Sequence, residues 1–203
     1  NGFSFIAQDA SGTYSPDTGT GSFTGTVSAS EDSAAPGYPN ETQGFSVGLS
    51  HDATLLSANG FNTGAALNGL NSGSGPDFLD VNTYSDGVTV GCVYSFSSPG
   101  TVVLQLTSET VLGTIDYDTV PSGLIGNTAG TTTSLSWSNA LGVPPVINIM
   151  VVGGQANPAS LIDGTVTLDA AVGGFVRGDV NDDASINIAD AVSLLAGLFT
   201  GGA

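Results

Sequence analysis

At 203 residues the chain is long enough for one well-filled core with a small appendage. It sets 18 acidic residues against a single basic one, Arg177, and has no lysine, for a formal net charge of −17. Nucleic acid, anionic membranes and phosphate ligands all need cations, so this balance excludes them and favours divalent metal ions. Only 9% of residues are charged while 40% are hydrophobic and 30 are glycine. A mostly neutral, polar surface follows, as suits a secreted, extracellular or cell-surface protein. Cys92 is the only cysteine, so no intrachain disulfide forms, and its setting in an apolar strand predicts a buried, inert thiol. No apolar run reaches the roughly 18 residues of a membrane span. The chain opens on Asn1 rather than Met, as expected of a mature, processed product.

In chain order, residues 1–170 read as short strands rich in Val, Thr, Ile and Phe, separated by Gly, Asn, Ser and Pro. The segments are 3–8, 22–28, 44–50, 88–96, 101–107, 111–117, 132–137, 146–152 and 164–168. They predict an all-β sandwich of about nine strands. Residues 53–70 read as a short helical turn or a long crossing loop. The segment 1–9, rich in Phe and Ile, is suited to adding a strand to a neighbour's sheet edge. Asn40-Glu41-Thr42 is the only glycosylation sequon. Asp77 and Asp80 offer a weak second calcium position. His51, the only histidine, falls at a turn after a strand, and Phe96 and Trp137 read as core side chains. Residues 171–176 are small and glycine-ended, a linker to a second unit at 177–203.

That second unit holds the sharpest motif. Asp179, Asn181, Asp183, Ser185, Asn187 and Asp190 fall at relative positions 1, 3, 5, 7, 9 and 12 of a loop running into an apolar stripe. Alternate residues of such a loop turn their oxygens to one point, the arrangement that Ca²⁺ needs for its six to eight oxygen ligands at about 2.3–2.6 Å. Asp182 adds a fourth carboxylate to those of Asp179, Asp183 and Asp190, and a cation among them relieves their repulsion. Ala184 stands where the turn ordinarily takes Gly. The competing reading is an Asp/Asn-rich turn capping a helix, with Asp190 as N-cap. The helix is expected over about 190–199, with Ala191, Leu194, Leu195 and Leu198 in one stripe and Val192 and Phe199 widening it. Ile188 joins that stripe as a candidate interface residue. So short a helix is unstable alone, and its apolar face needs a cover.

The loop and helix together, from Asp179 through Ile186-Asn187 and Asp190-Ala191-Val192 to Leu194-Leu195, resemble one calcium-binding repeat of a type I dockerin. A dockerin ordinarily has two. The body, over about 22–170, is similar in segment order to a cohesin. Gln43–Leu56 resembles an early cohesin strand and its following turn, with His51 and Ala53 departing from the usual aromatic and Pro. Glu109–Tyr117, Thr132–Ala140 and Asp163–Leu168 resemble the later strands. A carbohydrate-binding or adhesin-type sandwich of other ancestry is the competing reading.

The two resemblances imply a socket and a plug on one chain. They point to a secreted structural protein that binds copies of itself head to tail through calcium-dependent contacts, forming extracellular filaments. The competing roles are a scaffold, adhesion or glycan-binding module docking to a different cohesin-bearing protein, or a loop-helix folded onto its own body as a cap. Catalysis is disfavoured: His and Arg are single, Lys is missing, and no carboxylate pair stands out by spacing.

Overall fold

The computed structural model describes residues 2–31, 41–97, 100–171, 178, 180–181 and 185–200. The chain divides into two compact units, Asn1–Ala171 and Val172–Ala203. The sequon asparagine, Asn40, lies outside the described residues.

The first unit is built of β1 (Phe3–Ala7), β2 (Ala10–Tyr14), β3 (Gly21–Glu31), β4 (Glu41–Ser50), β5 (Leu56–Thr63), β6 (Phe78–Tyr84) and β7 (Gly87–Val93), then β8 (Leu104–Gln105), β9 (Thr110–Thr119), β10 (Thr131–Trp137), β11 (Ile149–Val152), β12 (Gln155–Pro158), β13 (Ser160–Ile162) and β14 (Gly164–Ala170). Two one-turn helices, α1 (Ala65–Asn68) and α2 (Leu70–Gly73), stand between β5 and β6. The all-β reading holds, but the described residues contain 14 strands rather than about nine. Part of the excess is division of long strands: β1 and β2 are separated only by Gln8 and Asp9, and β13 and β14 only by Asp163. The rest is β5, β6 and β12, whose Asn, Ser, Thr and Asp hide the strand pattern. The segment read as 53–70 holds the expected short helical turn, α1, preceded by a strand that was not expected, β5. That read as 101–107 contracts to β8.

One sheet runs β5–β9–β3, then β1 and β2 end to end, then β13 and β14 end to end, then β10. The other runs β6–β7–β4–β11–β12, with β8 beside the start of β4. β10 belongs to both: Leu135 pairs with Gly164 in the first, while Ser136 and Trp137 pair with Ser50 and Leu49 in the second. The N-terminal segment, expected to reach a neighbour's sheet, is instead β1 of its own sheet. It pairs with β3 on one side and with β13, in parallel, on the other. Phe3, Phe5 and Ala7 are buried there, so their burial and not their exposure explains the apolar pattern.

Inward residues of both sheets form one core. Phe5 lies 6.3 Å from Phe45 and 5.5 Å from Trp137 between ring centroids, and Phe23 stacks on Tyr117 at 5.1 Å. Trp137 packs against this core as expected, and its indole N–H donates to the Ile162 carbonyl at 2.9 Å. Cys92 is buried as expected, and burial pushes its thiol up to about 12.

His51 directly follows β4 and is only 7% exposed. Its ring stands edge-on to Tyr117 at 5.4 Å. The Tyr117 hydroxyl has no hydrogen-bond partner, and the ring nitrogens make none of good geometry, although the Ser85 and Leu56 backbone lies beside them. Leaving such groups unsatisfied in the interior costs on the order of 1–3 kcal/mol each. Burial holds the imidazole below its ordinary value near 6.5, although the Ser85 backbone, then Asp86 and Asp52, pull the other way. Because the unfolded chain then binds a proton that the folded chain refuses, stability falls as pH drops below about 6.5. Urea denaturation between about pH 6.5 and 5, above the ordinary carboxylate range, is expected to record that decline. His51→Phe is expected to flatten it; an unchanged slope in this variant would place the proton elsewhere.

Candidate functional site

Two regions carry the functional readings, one in each unit. In the second unit, α3 (Ile188–Thr200) begins two residues before the expected start and ends one after it. Asn187 is the residue that caps it, its Oδ1 accepting from the Ala189 N–H at 2.7 Å. Asp190 sits in the first turn and reaches back: its Oδ2 accepts from the Asn187 N–H at 2.7 Å. This reciprocal pair works as a capping box, so the N-cap that the competing reading put at Asp190 falls three residues earlier. The other oxygen of Asp190 accepts from the Val180 and Asn181 N–H groups at 2.8 and 3.4 Å. The carboxylate is 4% exposed and ties the start of the loop to its end. Asn187 Nδ2 donates to the Ser185 carbonyl at 3.2 Å.

Of the six candidate ligands, Asn181, Ser185, Asn187 and Asp190 are described, while Asp179 and Asp183 lie outside the described residues, as do Asp182 and Ala184. Among the described residues no three His, Cys, Asp or Glu side chains gather as a metal site. The donor set is nonetheless all oxygen, as a hard cation requires. A buried carboxylate already drawn across the loop is chemically suited to one. Along α3, Ile188, Ala191, Val192, Leu194, Leu195, Leu198 and Phe199 are all exposed. Apolar exposure on this scale marks a contact surface.

In the first unit, the outward face of the β6–β7–β4 sheet divides in two. Alternation puts Val88, Val90 and Cys92 inward, so Gly87, Thr89, Gly91 and Val93 face outward with Phe78, Asp80, Asn82 and Tyr84 of β6. One half is roofed by the segment after β10. A Cβ on Gly87 would come within 2.5 Å of Leu141, and one on Gly48 within 2.6 Å of the Ser138 carbonyl. Asn148 holds that roof down, its Oδ1 accepting from Gly48 N–H at 2.8 Å and its Nδ2 donating to Ser138 O at 3.0 Å.

The other half is open. Phe78 and Phe96 lie 6.3 Å apart there, 44% and 66% exposed. Tyr84, Val143 and Ile147 are also exposed. Phe96 was expected in the core; it escapes because β7 ends at Val93, three residues short of the expected strand. What positions Phe96 is Asp77. Its carboxylate accepts from the Phe96 N–H at 2.9 Å, from Ser95 Oγ at 3.1 Å and from Asn71 Nδ2 at 3.2 Å. Asn71 Nδ2 also lies 2.8 Å from the carbonyls of Gly75 and Tyr94, and Asn71 adopts a left-handed φ of 49° that Asn tolerates. Asp80 accepts from Asn82 Nδ2 at 2.9 Å. At the second calcium position expected at Asp77 and Asp80, no third His, Cys, Asp or Glu side chain gathers among the described residues.

No protein-family model matches the chain, and no sequence among curated proteins matches it. Solved structures do resemble it. A chain of a type I cohesin–dockerin complex from Clostridium thermocellum is 12% identical with a TM-score of 0.59, over 83% of this chain and 94% of that one. The sixth cohesin of Acetivibrio cellulolyticus scaffoldin B, solved with a Cel5 dockerin, is 16% identical with a TM-score of 0.57, over 83% and 100%. A cohesin module of a Clostridium perfringens family 33 glycoside hydrolase is 8% identical with a TM-score of 0.54, over 84% and 98%. At these identities the likeness is one of fold, and the chain has a cohesin-like domain.

Asn71→Ala is expected to loosen the turn that presents Phe96 without unfolding the sandwich, at a cost of about 1–2 kcal/mol. Amide hydrogen exchange at Phe96 is then faster than in the parent protein while exchange at Val90 is unchanged.

Proposed function

We propose that this chain is a secreted, non-enzymatic assembly protein. Its cohesin-like unit receives the calcium-bound loop-helix of another copy, and repetition of that contact builds extracellular filaments. The observation that carries the reading is the pair of exposed apolar surfaces on one chain: the Phe78/Phe96 rings on an open sheet face, and the bare stripe of Leu194, Leu195 and Leu198. A socket and a plug at different places on one molecule make a heterologous contact, which propagates unless it closes into a ring. The solved relatives in complex with dockerins support the first half of this pairing, and the dockerin-like spacing of the loop supports the second.

In this reading Asp179, Asn181, Asp183, Ser185, Asn187 and Asp190 hold one Ca²⁺, whose charge offsets the loop's carboxylates. Asp190 closes both the ion's shell and the helix cap. Ile188, Ala191, Leu194, Leu195 and Leu198 form the plug's contact. The net charge of −17 opposes crowding of subunits, so calcium and salt both favour assembly. The exposed rings also suit stacking on a sugar, which gives glycan binding as the second reading.

Sedimentation velocity with calcium is expected to detect high-mass species that collapse when EDTA is added, and electron microscopy to record filaments in the calcium sample alone. Asp190→Ala abolishes the calcium response. Phe78→Ser with Phe96→Ser weakens assembly by roughly thirtyfold, the equivalent of losing about 2 kcal/mol at a contact's centre. Single-chain mass with and without calcium at high concentration would sink the filament reading, and retention on immobilised glycans would favour the second.

A further inference from the structure

Among the described residues five strands, β5, β6, β8, β12 and β13, pair with a single neighbour, and they are not alike; β8 and β13 are only two and three residues long. β5 is interrupted by a register shift between Ala58 and Phe61, with Gly60 at φ 134°. β12 is four residues long and ends in Pro158. Bulges, short length and Pro are the usual protections of an edge against pairing with another chain. β6 has none of them. It is a seven-residue strand without Pro or Gly, pairs only with β7, and has no register shift along its length. The chain has no lysine to guard it. Leu79, on the inward face, is nevertheless 38% exposed.

The groups that β6 offers follow from the alternation of its neighbours. His51 N–H donates to Asp86 O at 2.9 Å and Tyr94 N–H to Gln43 O at 3.0 Å. Even-numbered residues of β7 therefore bond to β4 and odd-numbered ones to β6. On β6 the bonds to β7 belong to Phe78, Asp80, Asn82 and Tyr84, so Leu79, Val81 and Thr83 turn their N–H and C=O to the open edge.

We infer that this edge pairs with the same edge of a second copy, antiparallel about a two-fold axis at Val81. The sequence Phe78-Leu79-Asp80-Val81-Asn82-Thr83-Tyr84 complements itself about that centre. Val81 meets Val81 and Leu79 meets Thr83, exchanging about six main-chain hydrogen bonds. On the outward face Asp80 stands opposite Asn82, and Phe78 opposite Tyr84, pairings that stabilise cross-strand neighbours. No like charges are placed directly opposite. The two Asp80 carboxylates stand diagonally, each beside an Asn82 amide, so the joint tightens as salt rises. Such a contact is isologous and closed. It needs no calcium and is made by the strand edge, with Phe78 bordering both surfaces, so its calcium independence separates it from the head-to-tail reading.

The test is sedimentation equilibrium of the full chain in EDTA at physiological salt. The parent protein is expected to move with concentration from one chain's 20.0 kDa to about twice that mass. Val81→Pro removes a donor from the open edge without touching a bond to β7, and Leu79→Lys places a charge at the joint. Each is expected to weaken dimerisation at least tenfold with an unchanged far-ultraviolet circular dichroism spectrum. A parent protein that stays at single-chain mass near about 1 mM, or a dimer that both variants form as readily as the parent, would overturn the assignment.

Discussion

The first and last strands of the cohesin-like unit lie side by side and parallel, and the rest of the sandwich is arranged around that pairing. β1 against β13 and β2 against β14 each run in register, but the line breaks in both strands at the same level, at Gln8–Asp9 and at Asp163. At the break, side chains replace main-chain acceptors: Asp9 Oδ1 takes the Thr165 N–H at 2.8 Å, and Asp163 Oδ1 takes the Trp137 N–H at 3.0 Å. Gly164 is required there, since a Cβ would meet the carbonyls of Ala7 and Gln8 at 2.6 and 2.8 Å. The second of these carboxylates holds β10 where it leaves one sheet for the other, so the closure of the sandwich hangs on the same few atoms.

Much of this architecture was legible in the sequence wherever burial imposes alternation. Phe45, Val47 and Leu49 announce β4, and Val88, Val90 and Cys92 announce β7, because both strands sit centrally in the core. Edge strands are quieter. β6 alternates Phe, Asp, Asn and Tyr on one face and Leu, Val and Thr on the other, and with one side open to water neither face must be apolar throughout. The breaks at Asp9 and Asp163 were illegible for a different reason: each depends on a partner more than 25 residues away, so no local pattern encodes it.

The candidate site divides the same way. The apolar stripe of α3 is a local pattern and could be read directly. The structure adds that Asp190 serves the backbone of its loop and that Asn187 is the cap, a distinction between two neighbouring side chains that spacing alone does not make. The open aromatic face was missed. Phe78 falls in none of the segments read as strands, and Phe96 falls at the end of one. The signal that would have found them is the run of small outward residues, Gly44, Ser46 and Gly91, which leaves bulky neighbours with nothing of their own size to pack against.

The parallel pairing at the termini also has a mechanical meaning. The chain enters the unit at the start of β1 and leaves it at the end of β14, so a pull on its two ends drags these neighbouring strands lengthwise in opposite directions. The evenly spaced bonds of a parallel ladder then bear the load together, in shear. They are not peeled apart one at a time. A body tied in this way transmits tension from one end to the other before it yields.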